Sequence, residues 1–78
     1  MNDPAMEAQA CYCLGATSSL MNRHRDAITY YLEHLQIAQR LSDRVGESRS
    51  YWALGNAHKN LGNKDRAAFY TKRHLEIR

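Results

Sequence analysis

The side chains of this 78-residue sequence that could hold a metal or move a proton are four histidines, two cysteines and eight carboxylates, and they are scattered. Cys11 and Cys13 lie two positions apart. On a helix their side chains diverge by about 200°, so they cannot bridge each other. A metal would need further soft ligands at convergent spacing, and none occurs. His24 and His58 likewise have no carboxylate or cysteine at ligand spacing, whereas zinc motifs depend on such neighbours. No Gly-rich phosphate loop, His-Glu zinc helix or serine elbow is present. The expectation is a protein with no catalytic residue, no metal and no cofactor. A different constellation does have helical spacing: Arg49, Trp52, Asn56 and Lys59 follow one another at steps of three and four residues. Together they offer two cations, an aromatic plate and an amide that both donates and accepts, the inventory for holding an acidic or amphipathic strand. The plainer alternative is that Trp52 packs against a neighbouring helix and that Arg49 and Lys59 are solvated charges.

The elements that must position these residues come from a duplication. At an offset of forty residues, Asp3/Asp43, Glu7/Glu47, Leu14/Leu54, Gly15/Gly55, Ala27/Ala67, Tyr30/Tyr70, His34/His74, Leu35/Leu75 and Ile37/Ile77 are identical. A period between about 20 and 50 residues indicates a stacked supersecondary unit. Recurrence marks His34 and His74 as a structural slot in a packed face rather than as a ligand pair. By the same offset Gln9, Tyr12, Ala16 and Ser19 stand where Arg49, Trp52, Asn56 and Lys59 stand in the second copy. Tyr12 can be read as part of a binding face or as a packing residue.

Within each copy the apolar period is helical. Cys11, Leu14, Gly15, Ser18 and Met21 form a first stripe, copied as Tyr51, Leu54, Gly55, His58 and Leu61. Ala27, Ile28, Tyr31, Leu35, Ala38 and Leu41 form a second stripe, with Ala67, Tyr70, Thr71, His74 and Leu75 as its counterpart. Asp3 before Pro4 reads as an N-cap followed by proline at the first helical position, and Asp43 opens the second copy. Asn22 and Gly62-Asn63 suit the left-handed backbone of a hairpin turn. Four antiparallel helices are therefore expected, as two hairpins over residues 1–40 and 41–78. Mid-helix glycine costs about 1 kcal/mol relative to alanine. Gly15 and Gly55 are therefore read as close-approach points opposite the small Ala27 and Ala67.

The composition, 44% hydrophobic with one proline, is that of a folded chain, small enough that its stability margin should be thin. No apolar run reaches the ~20 residues of a membrane span, and the start lacks the basic and apolar regions of a secretory signal. The expected location is the cytoplasm, with both cysteines reduced. A net charge of +3 favours acidic partners, but no Lys/Arg stripe with interleaved aromatics points to nucleic acid. Because the sequence ends at Arg78, straight after an apolar stripe, a homodimer through the terminal helix is a second expectation.

The Leu14-Gly15 and Leu54-Gly55 pairs, each followed by alanine twelve residues after the glycine, resemble the signature of the tetratricopeptide repeat family. The likeness covers nearly the whole chain. It is nearest to the forty-residue repeats of LGN/Pins-type cell-polarity scaffolds, on Glu7 to Tyr12, His34 to Gln39, Ser42 to Glu47, Leu54 to Ala57 and His74 to Ile77. The resemblance implies an all-α fold, two helix-turn-helix hairpins stacked as a short right-handed α-solenoid fragment. It further implies that first helices line a concave groove holding an extended peptide. On that basis the peptide-binding residues are Gln9, Tyr12, Ser19, Arg49, Trp52, Asn56 and Lys59. The structural signature is Leu14, Gly15, Ala27, Leu54, Gly55 and Ala67. Partners of the Inscuteable or NuMA kind and a role in spindle orientation are what the likeness implies. The carboxylate clamp of chaperone-tail readers is disfavoured, since Tyr12 and Ala16 occupy the slots of its lysine and asparagine.

Overall fold

The computed structural model describes residues 3–77. Four helices follow in order: α1 (Pro4–Leu20), α2 (His24–Arg40), α3 (Arg44–Asn60) and α4 (Lys64–Ile77). There is no strand among the described residues. Met1, Asn2 and Arg78 lie outside them, so the expectation attached to the chain's last residue does too.

The first helix of each hairpin starts at its cap, while α2 begins after Arg23 with no side-chain cap. The Asp3 carboxylate accepts from the Ala5 N–H at 3.0 Å, ahead of Pro4, and the Asp43 carboxylate accepts from the Gly46 N–H at 3.0 Å. Each satisfies one of the amide donors that a helix N-terminus leaves open. The stops are more regular than sequence suggests. Asn22, Ser42 and Gly62, spaced twenty apart, all have positive φ (62°, 54° and 79°). After each, the next amide reaches back to the carbonyl five residues earlier: Arg23 to Ser18, Asp43 to Ala38 and Asn63 to His58, at 2.8–2.9 Å. This is the Schellman closure, which satisfies orphan helix carbonyls. One turn geometry thus serves within and between hairpins. The turn at Ser42 was not legible in the sequence, because serine has no intrinsic preference for left-handed backbone.

Such short connections force neighbours to be antiparallel, and α1 packs on α2, α2 on α3 and α3 on α4. The result is a slab 38 × 29 × 13 Å. Its core lies around the two inner helices, with Ala27, Tyr31 and Leu35 of α2 against Tyr51, Ala53, Leu54 and Ala57 of α3. A smaller cluster, Ala8, Cys11 and Ile37, joins α1 to α2.

The repeat symmetry of the sequence is broken by burial. Leu54 is fully buried, while its copy Leu14 is 47% exposed, and Met21 of the same stripe is exposed as well. On the other side Leu35 is buried, yet Leu75 is 56% exposed and Thr71 is exposed. The large leucines of the stripes are therefore core on the inner helices and half in water on the outer ones, where small residues such as Cys11 and Ala67 are still buried. Among the described residues helix α3 packs extensively on both α2 and α4, whereas α1 packs mainly on α2 and α4 mainly on α3.

The close-approach reading of the glycines holds at Gly55, where the Ala67 backbone is a neighbour, and needs correction at Gly15. Both helices run unbroken through them. A Cβ on Gly15, however, would meet the ring of Tyr31, at 2.6 Å from Cε1, and not Ala27. On Gly55 it would meet the hydroxyl of Thr71 at 3.0 Å, with the Ala67 carbonyl at an ordinary 3.5 Å. The partner slot is the one sixteen residues on, where the first copy has a buried phenol and the second a small exposed side chain.

Candidate peptide-binding groove

Because α1 and α3 are each antiparallel to α2, they run the same way, and their N-terminal halves face each other across the C-terminal half of α2. The result is a hollow of about 360 Å³. Its walls include Gln9, Tyr12 and Cys13 from α1 and Val45 and Arg49 from α3, with His34 and Ala38 from α2 and the capping Asp43 between them. Small residues make the space: Ala8, Ala38 and Gly46 are all buried beneath it. Side chains of ordinary size there would close the gap between the helices.

Of the residues expected to bind peptide, Gln9, Tyr12 and Arg49 come together in this hollow. Trp52, Asn56 and Lys59 do not line it. They continue along the same exposed side of α3, and Trp52 is 55% exposed. From Arg49 to Lys59 the helix rises about 15 Å, the reach of some five extended residues. Ser19 is half-buried near the opposite end of α1. Tyr12 has both of its expected characters. It lines the hollow, and its half-buried ring also packs on Tyr31 and His34, with centroids 5.6 and 5.3 Å away.

His34 is the residue that sequence reasoning assigned to packing alone. It is 7% exposed, and its Nδ1 is hydrogen-bonded to the Ser50 hydroxyl, yet it also lines the hollow. Its copy His74 is a structural residue, its Nδ1 held by Ser48 of α3, 2.9 Å from the hydroxyl and 3.0 Å from the carbonyl. Both copies meet a serine of α3, His34 through Ser50 and His74 through Ser48. What separates them is position: His34 sits between α1 and α3, where the hollow forms, and His74 is on the outer helix α4.

Burial pushes His34 below its ordinary value; Asp43 opposes that shift and Arg49 adds to it. His58 is lowered too, by burial first and by Arg66 second. An unfolded chain takes up these protons near pH 6.5, while the folded chain refuses them until lower pH. The unfolded state then binds more protons, so this contribution to stability is whole above about pH 6.5 and is lost as pH falls through the folded values. The expected result is a lower Tm at pH 5.5 than at 7.5, and a smaller difference in His34→Gln and His58→Gln, read by circular dichroism. Burial first, then the Glu33 carboxylate in contact with it, pushes the Cys11 thiol up. Both cysteines are free. No cluster of three metal-ligating side chains occurs among the described residues, and no helix there is long and apolar enough to cross a membrane.

A stack of antiparallel helix pairs with an open groove along its first helices is the architecture of a helical-repeat binding protein. The chain belongs to the tetratricopeptide repeat family, whose model matches residues 7–78. Members of this family are protein-interaction repeats and not catalytic folds. Among curated proteins it is similar to human G-protein-signaling modulator 1, with 49% identity over 61 residues, which is 78% of this chain and 9% of that protein. It is also similar to Protein FLUORESCENT IN BLUE LIGHT, chloroplastic, of Arabidopsis thaliana, with 32% identity over 71 residues, 90% of this chain and 22% of that protein. The chain thus spans less than a quarter of the length of either relative.

Proposed function

We propose that this chain is a non-catalytic interaction module that holds an extended acidic or amphipathic adaptor peptide between α1 and α3. The observation that carries the proposal is the hollow in which Gln9, Tyr12 and Arg49 meet, with Trp52, Asn56 and Lys59 continuing along α3. An aromatic wall, an amide and a cation around one depression suit a peptide backbone with an acidic side chain beside it. Ser19 would touch only the far end of such a ligand. A shallow open groove gives no enclosed place for a nucleophile, base and orienting group to converge, which supports a non-enzyme. The likeness to human G-protein-signaling modulator 1 supports a protein-binding scaffold; the LGN/Pins type, a role in cell polarity or spindle orientation and adaptors of the Inscuteable or NuMA kind follow from the resemblance of the repeat residues. The two free cysteines fit a reducing, cytoplasmic setting.

Trp52 is exposed enough to report on the groove, so acidic peptides can be titrated against its fluorescence. Arg49→Glu replaces attraction by repulsion and is expected to weaken binding about tenfold or more, as for a lost charge-assisted hydrogen bond. Unchanged affinity in a variant of unchanged helicity would remove Arg49 from the site and, with it, the charge argument.

A second reading is self-association. It is favoured by the exposure of Leu75, Phe69 and Leu14, apolar residues on the two outer helices. Light scattering at micromolar concentration decides it, a strict monomer being the result that excludes it.

A further inference from the structure

Proton accounting around His34 gives the hollow a chemical preference. The Ser50 hydroxyl has one proton, and its oxygen lies 2.9 Å from the Gly46 carbonyl, which can only accept. Donating there fills that contact. If the hydroxyl instead donated to His34, its lone pairs would face the carbonyl oxygen. The arrangement that satisfies both neighbours has the Ser50 hydroxyl donating to Gly46 and His34 Nδ1–H donating to Ser50. A neutral imidazole protonated at Nδ1 has Nε2 as an acceptor. With Nδ1 committed to Ser50, Nε2 is the ring nitrogen left for a ligand in the hollow that His34 lines.

We infer that the hollow is a pocket for one anchor residue of the peptide, a tyrosine, whose phenol donates a hydrogen bond to Nε2 of His34. The inference rests on the groove reading above and names its specificity. Several observations select the phenol. A space of about 360 Å³ accommodates an aromatic ring. Apolar Ala8, Ala38, Leu41 and Val45 and the face of Tyr12 supply walls that a serine or threonine would leave uncovered. Arg49 and the capping carboxylate of Asp43 both line the pocket, so its charge favours neither a cationic nor an anionic anchor over a neutral phenol. A phenylalanine would fill the walls but cover the Nε2 acceptor without giving it a partner, which costs more than the bond itself returns.

The test begins without a ligand. Nitrogen-15 NMR of the imidazole rings in the 78-residue chain at pH 7.5 is expected to show His34 as the Nδ1–H tautomer; the Nε2–H tautomer overturns the inference and leaves the groove reading untouched. N-acetyltyrosinamide and N-acetylphenylalaninamide at millimolar concentration then serve as probes, followed by the amide and ring signals of Tyr12, His34 and Arg49. The tyrosine amide should bind about 3- to 10-fold more tightly, the range of a single neutral hydrogen bond. In Ser50→Ala, which removes the partner that fixes the tautomer, that preference should shrink towards parity. Equal binding of the two amides to the unmodified chain, or an undiminished preference in Ser50→Ala, overturns the assignment. Failure of Arg49→Glu to weaken acidic peptides, with the tyrosine preference intact, would instead count against the groove reading alone.

Discussion

Leu54→Ala is expected to destabilise the chain by about 2–5 kcal/mol, and Leu14→Ala, the same change at the copied position, by under about 1 kcal/mol. The first side chain is fully buried between α2 and α4, while almost half of the second is already in water. Removing the isopropyl group of Leu14 therefore forfeits little burial and leaves no enclosed cavity. At roughly 0.05–0.15 kcal/mol per residue a chain this small has only about 4–12 kcal/mol to lose. The Leu54 variant should melt at least about 10 °C lower, or be unfolded at 25 °C. Thermal denaturation of the two variants side by side is the measurement. Equal losses would mean that the outer face of α1 is as well covered as the inner face of α3, for instance in an associated form.

The second large effect is an asymmetry between the two glycines. Gly15→Ala should cost about 1–3 kcal/mol, because the new methyl enters the space of the buried Tyr31 ring and a well-packed aromatic has nowhere to go. The gain in helix propensity, about 1 kcal/mol, offsets only part of that. Gly55→Ala meets the hydroxyl of Thr71, which is exposed and can change rotamer. There the propensity gain should win, and the variant should be neutral or up to about 1 kcal/mol more stable. Urea midpoints for the pair give the answer directly. A loss at position 55 as large as at position 15 would show that the backbone approach of α3 to α4, and not one side chain, sets the limit.

Both expectations depend on a distinction that the repeat conceals. Leucine-glycine occurs twice at the same phase of the same period, and nothing local separates Leu14 from Leu54. The difference arises from the number of neighbours each helix has.

The same holds in the groove. Arg49, Trp52, Asn56 and Lys59 could be placed on one helical side by their spacing, and the structure has them exposed along one side of α3. That Gln9, Tyr12 and Arg49 meet, and that Trp52 and Lys59 lie beyond the hollow, depends on where α1 sits relative to α3. No feature of either helix alone carries that information. His34 shows the limit most clearly. Its recurrence as His74 marks a structural slot, each copy meeting a serine of α3, and the groove role of His34 comes from its place between α1 and α3.

What the sequence determined on its own is everything fixed within a few residues. Helix type follows from the 3.6-residue period, starts from the carboxylates at Asp3 and Asp43, and two of the three turns from Asn22 and Gly62. The forty-residue offset adds the all-α repeat. The tertiary structure alone decided which copy of each repeated side chain is buried, what each glycine touches, and which polar groups share the hollow. Those outcomes depend on contacts between helices distant in the chain, and a residue's type and phase are the same whether a neighbour covers it or water does.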